Sequence, residues 1–270
     1  MSEGHEQSDD KGPPLMRACE DGDLEQVQRL IDKGANIDPK ALQMAAKEGH
    51  ASIVELLIRA GADINDNQEG TGSTALILAS QEGHVDVVDC LLSLGADTEA
   101  RDWREKTALM MASARRRIDV VDRLLAAGCN VNAHDRMGFT ALMWAASEGN
   151  IPIIDRLVVH GADFNHQNEM GVNALMVATM KGHVEVVDRL LSLGCDVNAQ
   201  NKEGMTALMW ACSGMKIRIV RLLLDHGADP LLCNTDGQSS IDLTSSPEIQ
   251  TLLNGLILLS FHHHHHHHVP

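Results

Sequence analysis

Tyrosine is absent from the 270 residues, and three tryptophans and three phenylalanines are the whole aromatic complement. That is thin for a surface that stacks on sugars or nucleobases, because such surfaces work through exposed rings. An excess of positive charge is also missing. Lys and Arg number 22 against 38 Asp and Glu, giving a net charge of −16 that is spread along the chain. A diffuse negative field argues against nucleic acid or an anionic membrane as the main partner, since both need cationic contacts; it favours basic protein surfaces. The six cysteines (Cys19, Cys90, Cys129, Cys195, Cys212, Cys233) form no C-x-x-C pair and no tight cluster, so reduced, buried thiols are expected. The opening "MSEGHEQSDDKGPP" lacks the basic start and apolar run of a signal peptide. No apolar run approaches the roughly 20 residues of a membrane helix. These absences predict an intracellular, soluble protein of the cytoplasm, with the nucleus also open to it.

What the chain does contain is a period. "TALMWA" stands at residues 140–145 and again at 206–211. "STALILASQEGHVDVVDCLLSLGADTEA" begins at Ser73, and related segments begin at Lys106, Phe139, Val172 and Met205, each 33 residues after the last. The two copies of TALMWA are therefore two repeats apart, one structural unit printed at a fixed interval. "ALQMAAKEGHASIVELLIRAGADIND" from Ala41 keeps the register with one extra residue in the following turn. "PLMRACEDGDLEQVQRLIDKGANID" from Pro14 also fits, but only 27 residues separate its Ala18 from Ala45. A partial unit, "QSSIDLTSSPEIQTLL" from Gln238, closes the series.

Each unit has a local physical logic. The Thr or Ser before A-L-M-x-A is placed to cap a short first helix through its hydroxyl. Val87, Val88, Leu91 and Leu92 form one apolar face of a second helix. Gly95 and its mates Gly34, Gly61, Gly128, Gly161, Gly194 and Gly227 sit where a left-handed residue ends that helix. Turn formers such as Asp135 with Gly138 and Asn201 with Gly204 mark a hairpin leading to the next repeat. Pro152 falls in a first turn, where its missing N–H costs little.

This pattern resembles the ankyrin repeat over residues 14–254. The resemblance implies an all-α solenoid of stacked helix-turn-helix units with protruding β-hairpin loops, about seven repeats and a partial C-terminal cap, binding proteins on its concave face. The chain departs from the family pattern at three kinds of position. T-P-L-H becomes T-A-L-M or T-A-L-I, Glu105 replaces a hairpin glycine, and Arg116 and Met215 replace inter-helix glycines. The short first spacing implies that the first hairpin is missing, as suits a capping unit.

Most candidate chemistry dissolves under the period. His50, His84 and His183 share one slot, and stacked repeats lie roughly 8–10 Å apart, whereas a metal needs its nitrogens at about 2 Å. No metal site, cofactor site or catalytic residue is assigned. G-x-S-x-G, H-E-x-x-H and Walker patterns are missing, and "EGTGS" at 69–73 reads as a turn. Asp86, Asp89, Asp122, Asp155 and Asp188 recur once per repeat, as a solvated face would. Met110, Met111, Met143, Met176 and Met209, with Trp144 and Trp210, fall in one layer and read as packing between helices. An enzyme is not expected.

The hairpin tips are different, because the core does not require apolar residues there. Trp103, Met137, Phe139, Met170, Val172 and Met205 would align along a stack, either as an interface ridge or as tips packing on one another. Beside them lies the one basic island, Arg101, Arg104, Lys106, Arg115, Arg116, Arg117 and Arg123 in repeat four, with Arg136 one tip further on. The expected function is a protein-binding adaptor or scaffold, with a stoichiometric inhibitor or regulatory subunit as the rival. Its partner would dock on the tips and inner helices, an acidic segment of it lying on repeat four; no nucleic acid or membrane is expected, and the chain would act as a monomer. The resemblance also implies asparagine hydroxylation, with Asn65, Asn165 and Asn198 as the candidates.

The ends stand apart. Residues 1–13 are acidic, polar and expected to be disordered, and 255–270, "GLILLSFHHHHHHHVP", combine an apolar segment with a histidine run that looks like an affinity tag or a native metal-binding tail.

Overall fold

The computed structural model describes residues 13–266 of the chain. Its helices are α1 (Pro14–Asp21), α2 (Leu24–Asp32), α3 (Pro39–Glu48), α4 (Ala51–Arg59), α5 (Ala75–Glu82), α6 (Val85–Ser93), α7 (Ala108–Ala114), α8 (Ile118–Ala126), α9 (Ala141–Ser147), α10 (Ile151–Val159), α11 (Ala174–Lys181), α12 (Val184–Ser192), α13 (Ala207–Ser213), α14 (Ile217–Asp225) and α15 (Pro247–His266), with a 3-10 turn at Ser240–Leu243. Seven helix pairs and a partial eighth unit thus follow one another among the described residues.

The first helices start where a hydroxyl or amide can hold an orphan N–H. Thr74, Thr107, Thr140, Asn173 and Thr206 each accept the backbone N–H three residues on, at 2.9–3.4 Å, as the sequence predicts. They stop at a left-handed residue: Gly22, Gly49, Gly83 and Gly182 cap α1, α3, α5 and α11 at φ of 75–86°. Three positions depart in composition but not in conformation. Glu105 and Arg116, both at φ 64°, and Met215, at φ 53°, occupy the same left-handed region without being glycine.

The helices group into two compact units. In the first, Met1–Arg136 with Val159–Gly161, α1, α3, α5 and α7 pack successively as one layer and α2, α4, α6 and α8 as a second. Ala75, Leu76, Ile77 and Ala79 of α5 and Val87, Val88 and Leu91 of α6 are buried between them. In the second, Met137–Val158 with Ala162–Pro270, α9, α11 and α13 form the inner layer, α12 and α14 pack outside, and α15 closes against α14 and the 3-10 turn. The expected missing first hairpin corresponds to the direct link from α2 to α3, where Asp38 Oδ1 caps α3 by accepting the Lys40 N–H at 2.9 Å.

The protruding connections are reverse turns. Among the described residues no strand is present, and an isolated antiparallel bridge joins Cys233 and Ser239. At the C-terminus the expected boundary between residues 254 and 255 falls inside α15, which continues through the apolar segment into the histidine run. The acidic stretch 1–12 and residues 267–270 lie outside the described residues.

Candidate functional site

Tip geometry separates the sequence candidates into two classes. In each turn two residues form the outer corner and the residue before the capping Thr or Asn forms an inward arm. Trp103, Arg104, Arg136, Met137 and Met170 occupy corners and are exposed, Trp103 at 54%, Met137 at 61% and Met170 at 53%. Phe139, Val172 and Met205 occupy arms. Phe139 and Val172 are half-buried, and the Phe139 ring lies 5.2 Å from that of Trp144. Met205, expected at the surface, is only 7% exposed, and its Sδ accepts from Asn234 Nδ2 at 3.5 Å. An arm side chain packs into the stack, Phe139 against Trp144 of its own first helix and Met205 against Asn234 of the following turn, which explains why Met205 leaves the candidate surface.

Corners of adjacent turns are tied together by backbone. The Trp103 N–H donates to Thr71 O at 2.9 Å, Arg136 N–H to Arg104 O at 3.0 Å, and, in the second unit, Lys202 N–H to Met170 O at 2.9 Å. The Trp103 indole lies on Gly72, where a Cβ would meet its Cδ1 at 2.2 Å. Trp103 therefore packs one face on the neighbouring turn, as the tip-packing alternative expects, and leaves the rest of its ring exposed.

The basic residues also divide. Arg101 is a strut, with Nη1 donating to Glu105 O at 3.2 Å and to His134 O one repeat on. Gln167 and Gln200 make the same pair of bonds at their own turns, so the Arg101 slot also ties adjacent turns together. Arg117 likewise reaches back, Nε donating to Gln81 O at 3.1 Å, and Arg123 pairs with Asp89 at 3.0 Å. Arg104, Arg115, Arg116 and Arg136 present exposed side chains within the first unit. Arg104 follows Trp103 at the corner, and Arg115 and Arg116 stand at the far end of the seven-residue α7, a helix itself about 10 Å long.

The histidine slot proves to be a recurring tie. His50, His84 and His183 Nε2 lie 2.8–3.1 Å from Glu20, Lys47 and Ser147 carbonyls, each bond reaching the end of the preceding first helix. Lys216 Nζ makes the equivalent bond to Met180 O at 3.4 Å. The ring packs so closely that a Cβ on Gly49 would meet His84 at 2.8 Å. Among the described residues no group of three His, Cys, Asp or Glu side chains is placed to hold a metal. Burial pushes the thiols of Cys19 and Cys129 up to about 11 and those of Cys195 and Cys212 up to about 12, which suppresses their nucleophilicity.

The three candidate asparagines are hydrogen-bonded across repeats. Asn65, Asn165 and Asn198 Oδ1 accept the N–H of Asp97, Asp196 and Asp229 at 2.8–2.9 Å. Asn132, which the sequence pattern passed over, holds the same kind of place, its Nδ2 donating to Gly161 O at 3.1 Å. Two of the outer-helix carboxylates that read as a solvated face do more: Asp89 and Asp155 accept from Arg123 and Arg189 of the next repeat.

Comparison with known proteins bears on this arrangement. The family model described as "Ankyrin repeats (3 copies)" matches residues 15–102, 101–168 and 142–234. Among solved structures, the ankyrin repeat domain of human ASB11 aligns with TM-score 0.68 and 25% identity, covering 76% of this chain and 92% of that one. The ankyrin repeat domain of Bcl-3, titled a unique member of the IkappaB protein family, aligns with TM-score 0.70 and 25% identity over 90% and 98% of the two chains. No curated protein matches. No described helix is long and apolar enough to cross a membrane.

Proposed function

The chain belongs to the ankyrin repeat family, a family of protein–protein interaction modules, and from that premise we propose that it works as an adaptor or scaffold whose partner places an acidic segment on repeat four. One observation carries this reading. Repeat four replaces glycine at two of its three left-handed positions, with Glu105 in the outer turn and Arg116 between the helices, and keeps Gly128 after its second helix. A side chain in that conformation costs about 1–2 kcal/mol, and such strain is characteristically retained where function uses the residue. The same repeat carries Arg104 next to Trp103 at the corner and Arg115 and Arg116 at the far end of α7, all exposed, in a chain of net charge −16. Arg and Trp are favoured anchors at interfaces, and a guanidinium fork takes a carboxylate in two hydrogen bonds.

In the second unit Met137 and Met170 offer an adaptable apolar corner surface as a separate contact. Asn65, Asn165 and Asn198 remain the proposed hydroxylation positions, and a cytoplasmic or nuclear setting the proposed compartment. A stoichiometric inhibitor differs from an adaptor in binding one protein where an adaptor binds two together.

The test is affinity capture with wild type, Trp103→Ala/Arg104→Glu/Arg115→Glu, and Met137→Ala/Met170→Ala, all matched for folding by circular dichroism. Protein captured by wild type and lost with the repeat-four variant supports the reading, more so if captured sequences share acidic segments. Identical capture by wild type and the repeat-four variant refutes it. Two partners recovered in one complex would select the adaptor over the inhibitor.

A further inference from the structure

From the adjacent corners of repeats four and five we infer that the acidic group docking there is a phosphorylated serine or threonine side chain, held between the guanidiniums of Arg104 and Arg136. The inference rests on the repeat-four reading above and narrows the chemistry of its partner. The Arg136 N–H donates to Arg104 O at 3.0 Å, so the two Cα atoms lie about 5–6 Å apart, as across a ladder bond. Both side chains are exposed, and among the described residues neither guanidinium has a hydrogen bond or ion pair.

The carboxylates of the same two turns leave this charge uncompensated. Asp102 Oδ1 accepts the backbone N–H of Arg104 and of Lys106, both at 2.9 Å. Asp135 is only 2% exposed, and the exposed Glu105 forms no ion pair among the described residues. Arg101 adds a third positive charge at the base of these turns, where its guanidinium donates to the Glu105 and His134 carbonyls and not to a carboxylate. Like charges held this close repel, and an anion between Arg104 and Arg136 relieves that repulsion.

The arrangement favours phosphate over carboxylate. One guanidinium fork satisfies both oxygens of a carboxylate, which would leave the second arginine unpaired beside the first. A phosphate monoester brings a charge of about −1.5 to −2 and three acceptor oxygens, enough for both forks, and clustered arginines are a recurring means of recognising it. The patch is also short. Glu69 stands in the preceding turn, facing Lys40 at 3.8 Å, so an extended polyanion such as RNA or a membrane surface would meet negative charge one turn away. Trp103, 54% exposed and next to Arg104, offers the residues flanking a phosphorylated side chain an apolar contact that free phosphate cannot use.

The experiment is a heteronuclear NMR titration of the full chain with an acetylated Gly-phosphoserine-Gly amide, and with the same peptide carrying glutamate, from about 0.1 to about 10 mM. Arginine Nε–H and Trp103 indole N–H signals are read. The phosphoserine peptide is expected to shift Arg104 and Arg136 together and saturably, at least about tenfold more tightly than the glutamate peptide. Arg104→Lys/Arg136→Lys, matched for folding by circular dichroism, keeps the charge and removes the forks, and should weaken phosphoserine binding about tenfold. Equal affinity for the two peptides, or binding unchanged by the lysine pair, overturns the phosphate and leaves an acidic segment on repeat four standing. Shifts confined to Arg115 and Arg116 do the same. No response of Arg104 or Arg136 to either peptide also overturns the inference, and affinity capture then decides the broader reading by itself.

Discussion

Replacing Glu105 by glycine and Gly171 by alanine changes the same turn slot in two repeats, and the structure predicts opposite signs. Glu105 stands at φ 64°, a conformation that costs a side chain about 1–2 kcal/mol. Glycine relieves that strain and gives back about 0.5–1 kcal/mol through the greater freedom of the unfolded chain. Glu105→Gly is therefore expected to stabilise by about 0.5–1 kcal/mol, raising the urea midpoint by about 0.2–0.4 M. At Gly171, φ is 78° and a Cβ would lie 2.7 Å from Asn201 Cα. Backbone cannot swing aside as a side chain can, so about 1–3 kcal/mol of overpacking adds to the strain. Gly171→Ala should destabilise by about 2–4 kcal/mol, lowering the midpoint by about 1 M. Urea titrations followed by far-ultraviolet circular dichroism give both numbers. A lower midpoint for Glu105→Gly, or an unchanged one for Gly171→Ala, would refute the argument that conformation rather than composition fixes this slot.

Other outcomes follow from groups already placed. Ser80 and Ser113 are fully buried with hydroxyls that have no hydrogen-bond partner, while Ala46 and Ala146 fill the same slot. Ser113→Ala should be neutral or stabilising by up to about 1 kcal/mol, and a thermal midpoint that falls would contradict this. Asn165→Ala removes the acceptor of the Asp196 N–H and should cost about 1–2 kcal/mol, with faster hydrogen exchange at Asp196; unchanged exchange there would count against the tie. Among the six cysteines Cys233 alone is exposed, so a thiol reagent at neutral pH should modify it first and reach Cys19, Cys195 and Cys212 only on unfolding. Because burial raises Cys19 and Cys129 to about 11 and Cys195 and Cys212 to about 12 from 9.0, their contribution to stability is complete below pH 9 and is lost as pH rises through the folded values. Cys195→Ala/Cys212→Ala should blunt the fall of the urea midpoint above pH 9; an identical alkaline profile would exclude the thiols as its cause.

The period, the caps at Thr74, Thr107, Thr140 and Thr206 and the glycine slots were legible because each is a local rule of backbone geometry repeated at one interval. Even the departures at Glu105, Arg116 and Met215 could be located as glycine positions held by other residues. The candidate surface was legible only in part. Corner and arm differ by only two or three residues, so Met205 looked equivalent to Trp103 although its side chain turns inward. Arg101 looked like free charge because its acceptors are the Glu105 and His134 carbonyls, and a carbonyl leaves no trace in the residue alphabet. Asn132 was passed over because Asn130 stands where the D-hydrophobic-N pattern has aspartate, although its bond to the Gly161 carbonyl matches that of Asn198 to Gly227.

The ties from His50, His84, Arg117, His183 and Lys216 share one property: each side chain grips a carbonyl of the repeat before it, never a side chain. Every residue has that carbonyl. The neighbour can therefore change most of its side chains and keep the grip, provided the glycine beneath it, such as Gly49 under His84 or Gly83 under Arg117, stays glycine. Between adjacent repeats the paired constraints then fall on those glycines and on the Arg123–Asp89 and Arg189–Asp155 pairs, which leaves Arg104, Met137 and Met170 at the corners free to diversify one repeat at a time.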